Sequence, residues 1–305
     1  MSRFPVTALR SVEIGTPDIA LSERFYTLVW GLEVAARQGE TVYLRATGAD
    51  HHVLSLQPSA APEILSVTFR VDAATDLAVL AARAVRHGAR VMDGPAPTLE
   101  PGGGLLLALA EPQGGIYRFV QGDVPQSETS ERPDRASRLA HVNLNSHDVD
   151  AQARFFEQGL GFALTDRSKL MAFLRCNSDH HAVVLAEAKA SGLNHIAFLV
   201  PNWESVMRAS GRLVDAGYPL GWGVGRHGPG DNVFAYFVDP VGFVVEFTAE
   251  VLQVDDAYRV RGPDEWVWPP GRTDQWGIAP PKPDPVKTAQ TAITYRPMAS
   301  PAGLR

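Results

Sequence analysis

The two halves of the chain align with each other at a nearly constant offset of about 129 residues. Segment 43–52 (YLRATGADHH) closely matches segment 173–181 (FLRCNSDHH), and the motif EPQG at 111–114 returns as DPVG at 239–242. A repeat constrains the architecture strongly, because each copy has to form the same structural unit. We therefore expect two sister domains joined by a polar linker. Their predicted ranges are residues 1–125 and 136–255.

Each half also contains an internal order of elements. Residues 139–146 alternate between apolar and polar side chains, which is typical of a strand with one buried face. Residues 148–160 follow with apolar side chains at helical spacing, and short strands are expected at 170–175 and 182–186. A strand, a helix and further strands then recur between residues 193 and 248. The sequence therefore predicts four modules of one type, two in each domain.

The composition changes from about residue 256. Seven prolines lie between positions 263 and 285, and proline disfavours helix interiors and central strands. Three tryptophans in the same region, Trp266, Trp268 and Trp276, are large apolar side chains that favour burial. We expect residues 256–305 to form an extended tail without regular structure. It would lie against the body of the protein and is a candidate lid.

Charge and composition exclude several classes of protein. A formal net charge of −6 with no dense run of Lys or Arg gives no electrostatic surface for nucleic acid. No stretch is apolar for long enough to span a bilayer, and the first residues lack the apolar core of a signal peptide. The single cysteine, Cys176, cannot form an internal disulfide. We expect a cytoplasmic enzyme that forms a homo-oligomer and has no nucleic-acid or membrane partner.

The repeat allows the two copies to be compared position by position. Three strand positions carry metal-ligand residue types in the second copy and non-ligands in the first: His141 against Ser11, His195 against Ser66, and Glu246 against Arg118. Positions that only the fold requires should be alike in both copies. A lone strand histidine is more often a hydrogen-bonded structural residue, but three such differences together indicate one mononuclear metal site. Two imidazoles and a carboxylate form the facial triad associated with non-haem Fe(II), which leaves coordination positions open.

Three further residues can handle protons near neutral pH. His181 opens a predicted strand, His227 lies in a glycine-rich loop, and Tyr236 follows nine residues later on the next strand. A structural role is the alternative for His181, because its counterpart His52 is also a histidine. Tyr236 is compatible with a core position in which the backbone satisfies its hydroxyl. The glycine-rich run at 221–230 precedes a strand instead of opening a helix, so it does not predict a nucleotide site.

These residues resemble the type I extradiol ring-cleaving dioxygenases of the vicinal oxygen chelate superfamily. The resemblance covers roughly the whole chain and rests on five short segments: HVNL at 141–144, HHAVV at 180–184, NHIAF at 194–198, GRHG at 225–228, and residues 236–247 from Tyr236 to Phe247. It implies a duplicated α+β fold of four βαβββ modules. The second domain would enclose Fe(II), or Mn(II) as in some members.

The resemblance assigns a role to each residue singled out above: His141, His195 and Glu246 as metal ligands, His181 as the acid and base beside the metal, and His227 and Tyr236 as partners of the catechol oxygens. His181 is preferred to His180 because the family's histidine stands directly before a strand. The implied reaction is extradiol cleavage of a catechol by O2 in aromatic catabolism, giving a ring-opened semialdehyde.

The tail is similar to the lid of homoprotocatechuate-type members, with Arg272 and Trp276 as counterparts of the residues that close over the site. Trp222 stands about where those members carry an arginine that anchors a substrate carboxylate. An acidic side chain on the substrate is therefore not expected.

Two other functions stay open at this point. A glyoxalase-like isomerase of the same superfamily would also bind a metal through His and Glu, but it would turn over without oxygen. A non-catalytic protein that binds an aromatic ligand would lack the metal ligands. The residues do not choose among catechols and trihydroxybenzenes as the substrate, nor between iron and manganese as the metal.

Overall fold

The computed structural model of the chain describes residues 4–130 and 132–297. Its first half contains two modules, each made of a strand, a helix and three strands. The first module consists of β1 (Val6–Thr16), α1 (Ile19–Arg24) with a π-helical continuation (Phe25–Trp30), β2 (Glu33–Gln38), β3 (Thr41–Arg45) and β4 (Leu54–Pro58). The second consists of β5 (Glu63–Val71), α2 (Leu77–Arg86), β6 (Arg90–Pro97), β7 (Leu105–Ala110) and β8 (Ile116–Gln121).

The second half repeats this order. The third module consists of β9 (Arg138–Ser146), α3 (Val149–Arg154) with a π-helical continuation (Phe155–Leu160), β10 (Ala163–Arg167), β11 (Met171–Arg175) and β12 (Val183–Glu187). The fourth consists of β13 (Gly192–Leu199), α4 (Trp203–Asp215), β14 (Trp222–Arg226), β15 (Val233–Val238) and β16 (Val244–Ala249). The prediction of a duplicated α+β fold with four βαβββ modules is confirmed. Strands β10 and β14 were not predicted, and β14 lies inside the glycine-rich run.

Two mixed sheets of equivalent topology result from the four modules. The strand orders are β2-β3-β4-β1-β5-β8-β7-β6 and β10-β11-β12-β9-β13-β16-β15-β14. Thr68 on β5 pairs with both Ser11 and Arg118. Ala197, at the equivalent place on β13, pairs with His141 and Glu246. The register of the strands therefore supports the position-by-position comparison of the two copies.

The first helix of each half is capped in the same way. Asp18 accepts a hydrogen bond from the backbone of Leu21 at 2.8 Å, and Asp148 does so from Ala151 at 2.9 Å. A side-chain acceptor at this position satisfies an amide that has no partner within the helix. The duplication therefore extends to the residues that start each helix.

The two halves share one core. The π-helical turn of the first half buries Trp30 against the second sheet, where its ring stacks on Phe247 with centroids 3.7 Å apart. In the reverse direction, Phe162 of the second half contacts Phe69 of the first sheet edge-to-face at 5.3 Å. Each domain therefore completes its core with aromatic side chains from the other. Among the described helices, none is long and apolar enough to cross a membrane.

The tail contains regular structure, which corrects the expectation that its prolines exclude it. A 3-10 turn (Pro263–Glu265) is followed by α5 (Asp284–Ala292) and β17 (Ile293–Thr294). Pro283 occupies the N-cap position of α5 and Pro285 lies in its first turn, where proline is tolerated because the amide has no helical partner. Strand β17 pairs with the start of β13. The end of the described tail is therefore part of the second sheet.

Candidate active site

Three neighbouring strands bring the predicted metal ligands together. His141 lies on β9, His195 on β13 and Glu246 on β16, and all three side chains are buried. The Nε2 atoms of the two histidines are 3.2 Å apart. Oε2 of Glu246 lies 3.3 Å from Nε2 of His141 and 3.0 Å from Nε2 of His195. Within the described ranges, this is the one group of three such side chains whose ligand atoms converge.

The spacing of these atoms fits one metal ion. Ligand atoms at right angles around an ion, with bonds of about 2.1 Å, are about 3.0 Å apart, and at a tetrahedral angle about 3.4 Å apart. Oε2 of Glu246 receives no hydrogen bond from any described donor although it is buried. Two imidazole lone pairs and a carboxylate oxygen that meet in this way need a cation to satisfy them. The three residues therefore fit a mononuclear metal site with its remaining positions open.

A hydrogen bond behind His195 orients that ring. Its Nδ1 donates to Oδ1 of Asn194 at 2.9 Å, and the Nδ2 of Asn194 in turn donates to Asn145 at 2.9 Å. Because the proton is then on Nδ1, Nε2 is left as the lone-pair donor that a metal requires. Burial lowers the pKa of His195 to about 4, partly offset by Glu246. Both effects keep the imidazole available for coordination at neutral pH.

The equivalent positions of the first domain hold a different arrangement. Arg118 forms an ion pair with Glu100 and lies 3.8 Å from Glu13. Ser11 accepts a hydrogen bond from Arg10 at 3.0 Å. Two guanidinium groups therefore supply positive charge in the first domain where the second offers lone pairs to a cation.

A cavity of about 760 Å³ opens beside this group of atoms, with His141 in its wall. His181, His227 and Tyr236 all lie in its wall. The ring of His181 is 4.5 Å from that of His141, and Nε2 of His227 lies 3.0 Å from the hydroxyl of Tyr236. Burial lowers the pKa of His227 to about 3 and that of His181 well below its usual value. The structure therefore brings together all six residues predicted from the sequence, and their individual roles stay predictions.

The part of the tail at the cavity differs from the expectation. Trp266 and Trp268 line the cavity, whereas Arg272 and Trp276 lie outside its lining. Trp276 instead packs against the guanidinium of Arg226, which is 5.1 Å from its ring centroid. The residues proposed as lid counterparts therefore do not close over the site in this structure.

Sequence reasoning missed Lys282, a charged residue of the cavity wall. Its ammonium lies 4.4 Å from the ring centroid of Trp222 and 5.4 Å from that of Tyr236, and donates to Gln290 at 2.8 Å. Burial lowers its pKa to about 8. Lys282 belongs to a proline-rich segment without periodicity, so the sequence carries no signal that it reaches the site. Lys282 therefore places a cation next to Trp222, although the tryptophan at the position of the relatives' arginine had suggested that this part of the site carries no positive charge.

Comparison with known proteins identifies the superfamily to which the chain is related. The sequence profile of the Glyoxalase/Bleomycin resistance protein/Dioxygenase superfamily matches residues 138–247. Metapyrocatechase 2 of Cupriavidus necator is 35% identical over 137 residues, which are 44% of this chain but only 40% of that protein. A manganese-dependent 2,3-dihydroxybiphenyl 1,2-dioxygenase of Geobacillus genomosp. 3 is 27% identical over 250 residues, covering 74% of this chain and 79% of that protein.

A solved structure extends the likeness to nearly the whole chain. The Mn(II)-bound glyoxalase from Novosphingobium aromaticivorans superimposes with a TM-score of 0.87 and 32% sequence identity, covering 98% of this chain and 97% of that one. Such identity over both domains, together with the matching profile, goes beyond a shared fold. The chain belongs to the Glyoxalase/Bleomycin resistance protein/Dioxygenase superfamily.

Proposed function

We propose that the protein is an extradiol dioxygenase that uses O2 and one non-haem metal ion to open the ring of a catechol beside its two hydroxyl groups. One observation carries this proposal. Three ligand atoms from a single domain converge at a cavity whose wall holds His181, His227 and Tyr236. Relatives named metapyrocatechase and dihydroxybiphenyl dioxygenase support the same activity.

The residues of the cavity have complementary tasks in this reaction. Held by His141, His195 and Glu246, an Fe(II) or Mn(II) ion would act as template and electron conduit between catechol and O2. The hydrogen-bonded pair of His227 and Tyr236 is suited to bind a catechol oxygen, since it offers both a donor and an acceptor.

His181 would exchange protons with the substrate. Burial first, and then the neighbouring His141 and His180, lower its pKa, so the ring is neutral at physiological pH. A neutral imidazole can accept a proton from a substrate hydroxyl and return it later in the reaction. Its place in the cavity wall, next to His141, puts this exchange beside the metal ligands.

The types of the three ligand residues do not by themselves select one metal. Two imidazoles and a carboxylate suit both Fe(II) and Mn(II), and one relative is described as manganese-dependent. We propose Fe(II), with Mn(II) as the alternative, in a cytoplasmic homo-oligomer. Metal analysis of the purified protein tests the identity of the metal, and light scattering in solution tests the oligomeric state.

A glyoxalase-like isomerase is the second candidate, because the solved relative that matches nearly the whole chain is described as a glyoxalase. Oxygen separates the two activities, since an isomerase needs none. A non-catalytic aromatic-binding protein is disfavoured by the intact group of ligand atoms.

The deciding experiment supplies metal-loaded protein with a panel of substituted catechols, in air and under anaerobic conditions. We expect oxygen consumption and a yellow ring-opened product in air only. Glu246→Gln should abolish both and lower metal content, because the amide brings no negative charge to the ion. Ser11→Ala, at the first-domain position equivalent to His141, is the matched control and should retain both. Anaerobic conversion of a hemithioacetal without oxygen uptake would instead identify an isomerase.

A further inference from the structure

A chain of buried polar side chains continues behind His181, away from the cavity. Nδ1 of His181 faces Nδ1 of His180 at 3.0 Å, and Nε2 of His180 lies 2.8 Å from Oδ2 of Asp166. His180 and Asp166 are completely buried. The chain therefore links a residue of the cavity wall to a carboxylate on β10.

The tail completes the surroundings of this carboxylate. The hydroxyl of Tyr258 donates to Oδ2 of Asp166 at 3.0 Å, and the backbone amide of Arg261 donates to Oδ1 at 2.9 Å. Together with His180, three donors converge on one side chain. This is the environment of a carboxylate that acts as acceptor only.

Comparison with the first domain shows which of these side chains the fold itself requires. There the equivalent histidines, His51 and His52, make the same contact, with their Nδ1 atoms 3.1 Å apart. The position of Asp166 is taken by Ala36, which pairs with Tyr43 as Asp166 pairs with Phe173. The paired histidines are thus common to both domains, whereas the carboxylate belongs to the domain with the metal ligands. This is the same difference between copies that distinguishes the ligands themselves.

The hydrogen bonds determine where the protons lie. Because Asp166 only accepts, the proton of a neutral His180 is on Nε2, and its Nδ1 is bare. The single proton between the two rings must then be on Nδ1 of His181. This leaves Nε2 of His181 unprotonated, and no described residue forms a hydrogen bond with it. His181 would therefore present a lone pair to the cavity.

We propose that Asp166 and His180 are positioning residues that fix the ring orientation and the tautomer of His181, so that its Nε2 is the proton acceptor facing the substrate. The inference rests on the proposed dioxygenase function, in which His181 exchanges protons with the catechol. Asp166 and His180 do not touch the substrate. They act through His181, as a carboxylate behind a histidine does in other catalytic arrangements.

The tautomers can be measured without any turnover. In protein labelled with 15N-histidine and loaded with diamagnetic Zn(II), which accepts the same ligand types, we expect His180 protonated on Nε2 and His181 on Nδ1. In Asp166→Asn, the amide can donate to His180, so both tautomers should invert. A wild-type spectrum with His181 protonated on Nε2 overturns the proposal whether or not the variant folds.

Kinetics provide the second arm. Asp166→Asn should lower kcat by about 10- to 100-fold, while the KM for catechol and the metal content stay within about twofold of the wild type. His180→Gln should lower kcat in the same way, and His51→Gln, at the equivalent position of the first domain, is its matched control and should leave kcat unchanged. A folded, metal-loaded Asp166→Asn protein with wild-type kcat overturns the inference. Failure of the wild type to consume oxygen with every catechol would contradict the proposed function, while the spectra still decide the tautomers.

Discussion

At the scale of single residues, Lys282 is unusual because a cation lies in a largely buried place between two aromatic rings. Burial lowers its pKa from 10.5 to about 8. Desolvation is the largest cause, since a charged ammonium loses water that the cavity wall does not fully replace, and the positive charge of Lys287 lowers the pKa further. Contacts with the faces of Trp222 and Tyr236 offset part of this cost. Because the protein keeps this buried cation despite its cost, we expect the ammonium of Lys282 to contact a negatively charged group of a bound substrate.

The stability of the free protein should show this cost directly. Between pH 8 and 10.5 the folded state binds fewer protons at Lys282 than the unfolded state, so its contribution to stability rises with pH in that window. Lys282→Met should therefore increase the free energy of unfolding at pH 7, by at most about 3 kcal/mol. The gain should shrink as the pH approaches 10.5. Urea denaturation at pH 7 and pH 10 measures both values.

Lys189→Met is the control for this comparison, because Lys189 is exposed and lies outside the lining of the cavity. Its effect should stay within about 0.5 kcal/mol at either pH. A Lys282→Met protein that is less stable than the wild type at pH 7 would contradict the assignment of a desolvation cost.

At the scale of elements, the docking of β17 depends on a close backbone approach. A Cβ atom at Gly192 would lie 2.1 Å from the carbonyl oxygen of Ile293 and 2.9 Å from Cα of Thr294. Neither backbone atom can move away without breaking the pairing with β13. The same tail segment also receives a hydrogen bond from Asn145 to the carbonyl of Gln290 at 2.6 Å.

Gly192→Ala should therefore release β17 and loosen α5. We expect a loss of about 1–3 kcal/mol, as for other overpacked sites, and faster proteolysis of the tail beyond residue 250. Gly211→Ala on α4 is the control. Apart from its chain neighbours and the backbone of α4, no atom lies within 4 Å of a Cβ built there, so it should stabilise the helix by about 0.5–1 kcal/mol. Limited proteolysis and thermal unfolding measure the effect of both substitutions. A tail that is as resistant to protease in Gly192→Ala as in the wild type would refute the expectation.

At the scale of the whole molecule, the two domains depend on each other through the aromatic side chains they exchange. Trp30 of the first domain is fully buried on Phe247, which is adjacent in sequence to the predicted ligand Glu246. The hydroxyl of Tyr26, from the same turn, donates to Asp239 of the second domain at 3.0 Å. The first domain has no converging ligand atoms of its own in its described part, but it supports the strand that carries one.

Trp30→Ala should lower the free energy of unfolding by about 3–5 kcal/mol, the usual loss for a buried large aromatic residue. Metal affinity should fall with it, because β16 loses its packing partner. Leu28→Ala, in the same turn but 75% exposed, should change stability by no more than about 0.5 kcal/mol. Calorimetry and metal titration measure both variants. Unchanged metal affinity in a destabilised Trp30→Ala protein would show that the domains are coupled only through stability.

Comparison of the two copies could also have identified Asp166, whose counterpart is Ala36, but only once β10 was recognised as a strand. The short segment ALTDR at 163–167 has no clear alternation. Its pairing with β11 supplies the hydrogen bonds that make it a strand. In the same way, the glycines of β14 give no strand pattern in the sequence, and its backbone pairing with β15 makes it an edge strand. Local pattern fails at these two strands because their neighbours in the sheet stabilise them.

The sequence by itself determined the duplicated fold and pointed to three predicted ligand residues whose side chains converge. Two copies of one fold must carry similar residues where core packing requires them, but they can differ where a residue serves a chemical function. The second copy therefore shows its candidate site as differences from the first: His141, His195 and Glu246 replace Ser11, Ser66 and Arg118. Only the tertiary structure decided which parts of the tail reach the site. Lys282 enters the cavity and Arg261 meets Asp166 across 95 residues of chain. Such contacts depend on long-range docking of a segment whose local composition specifies neither its path nor its partners.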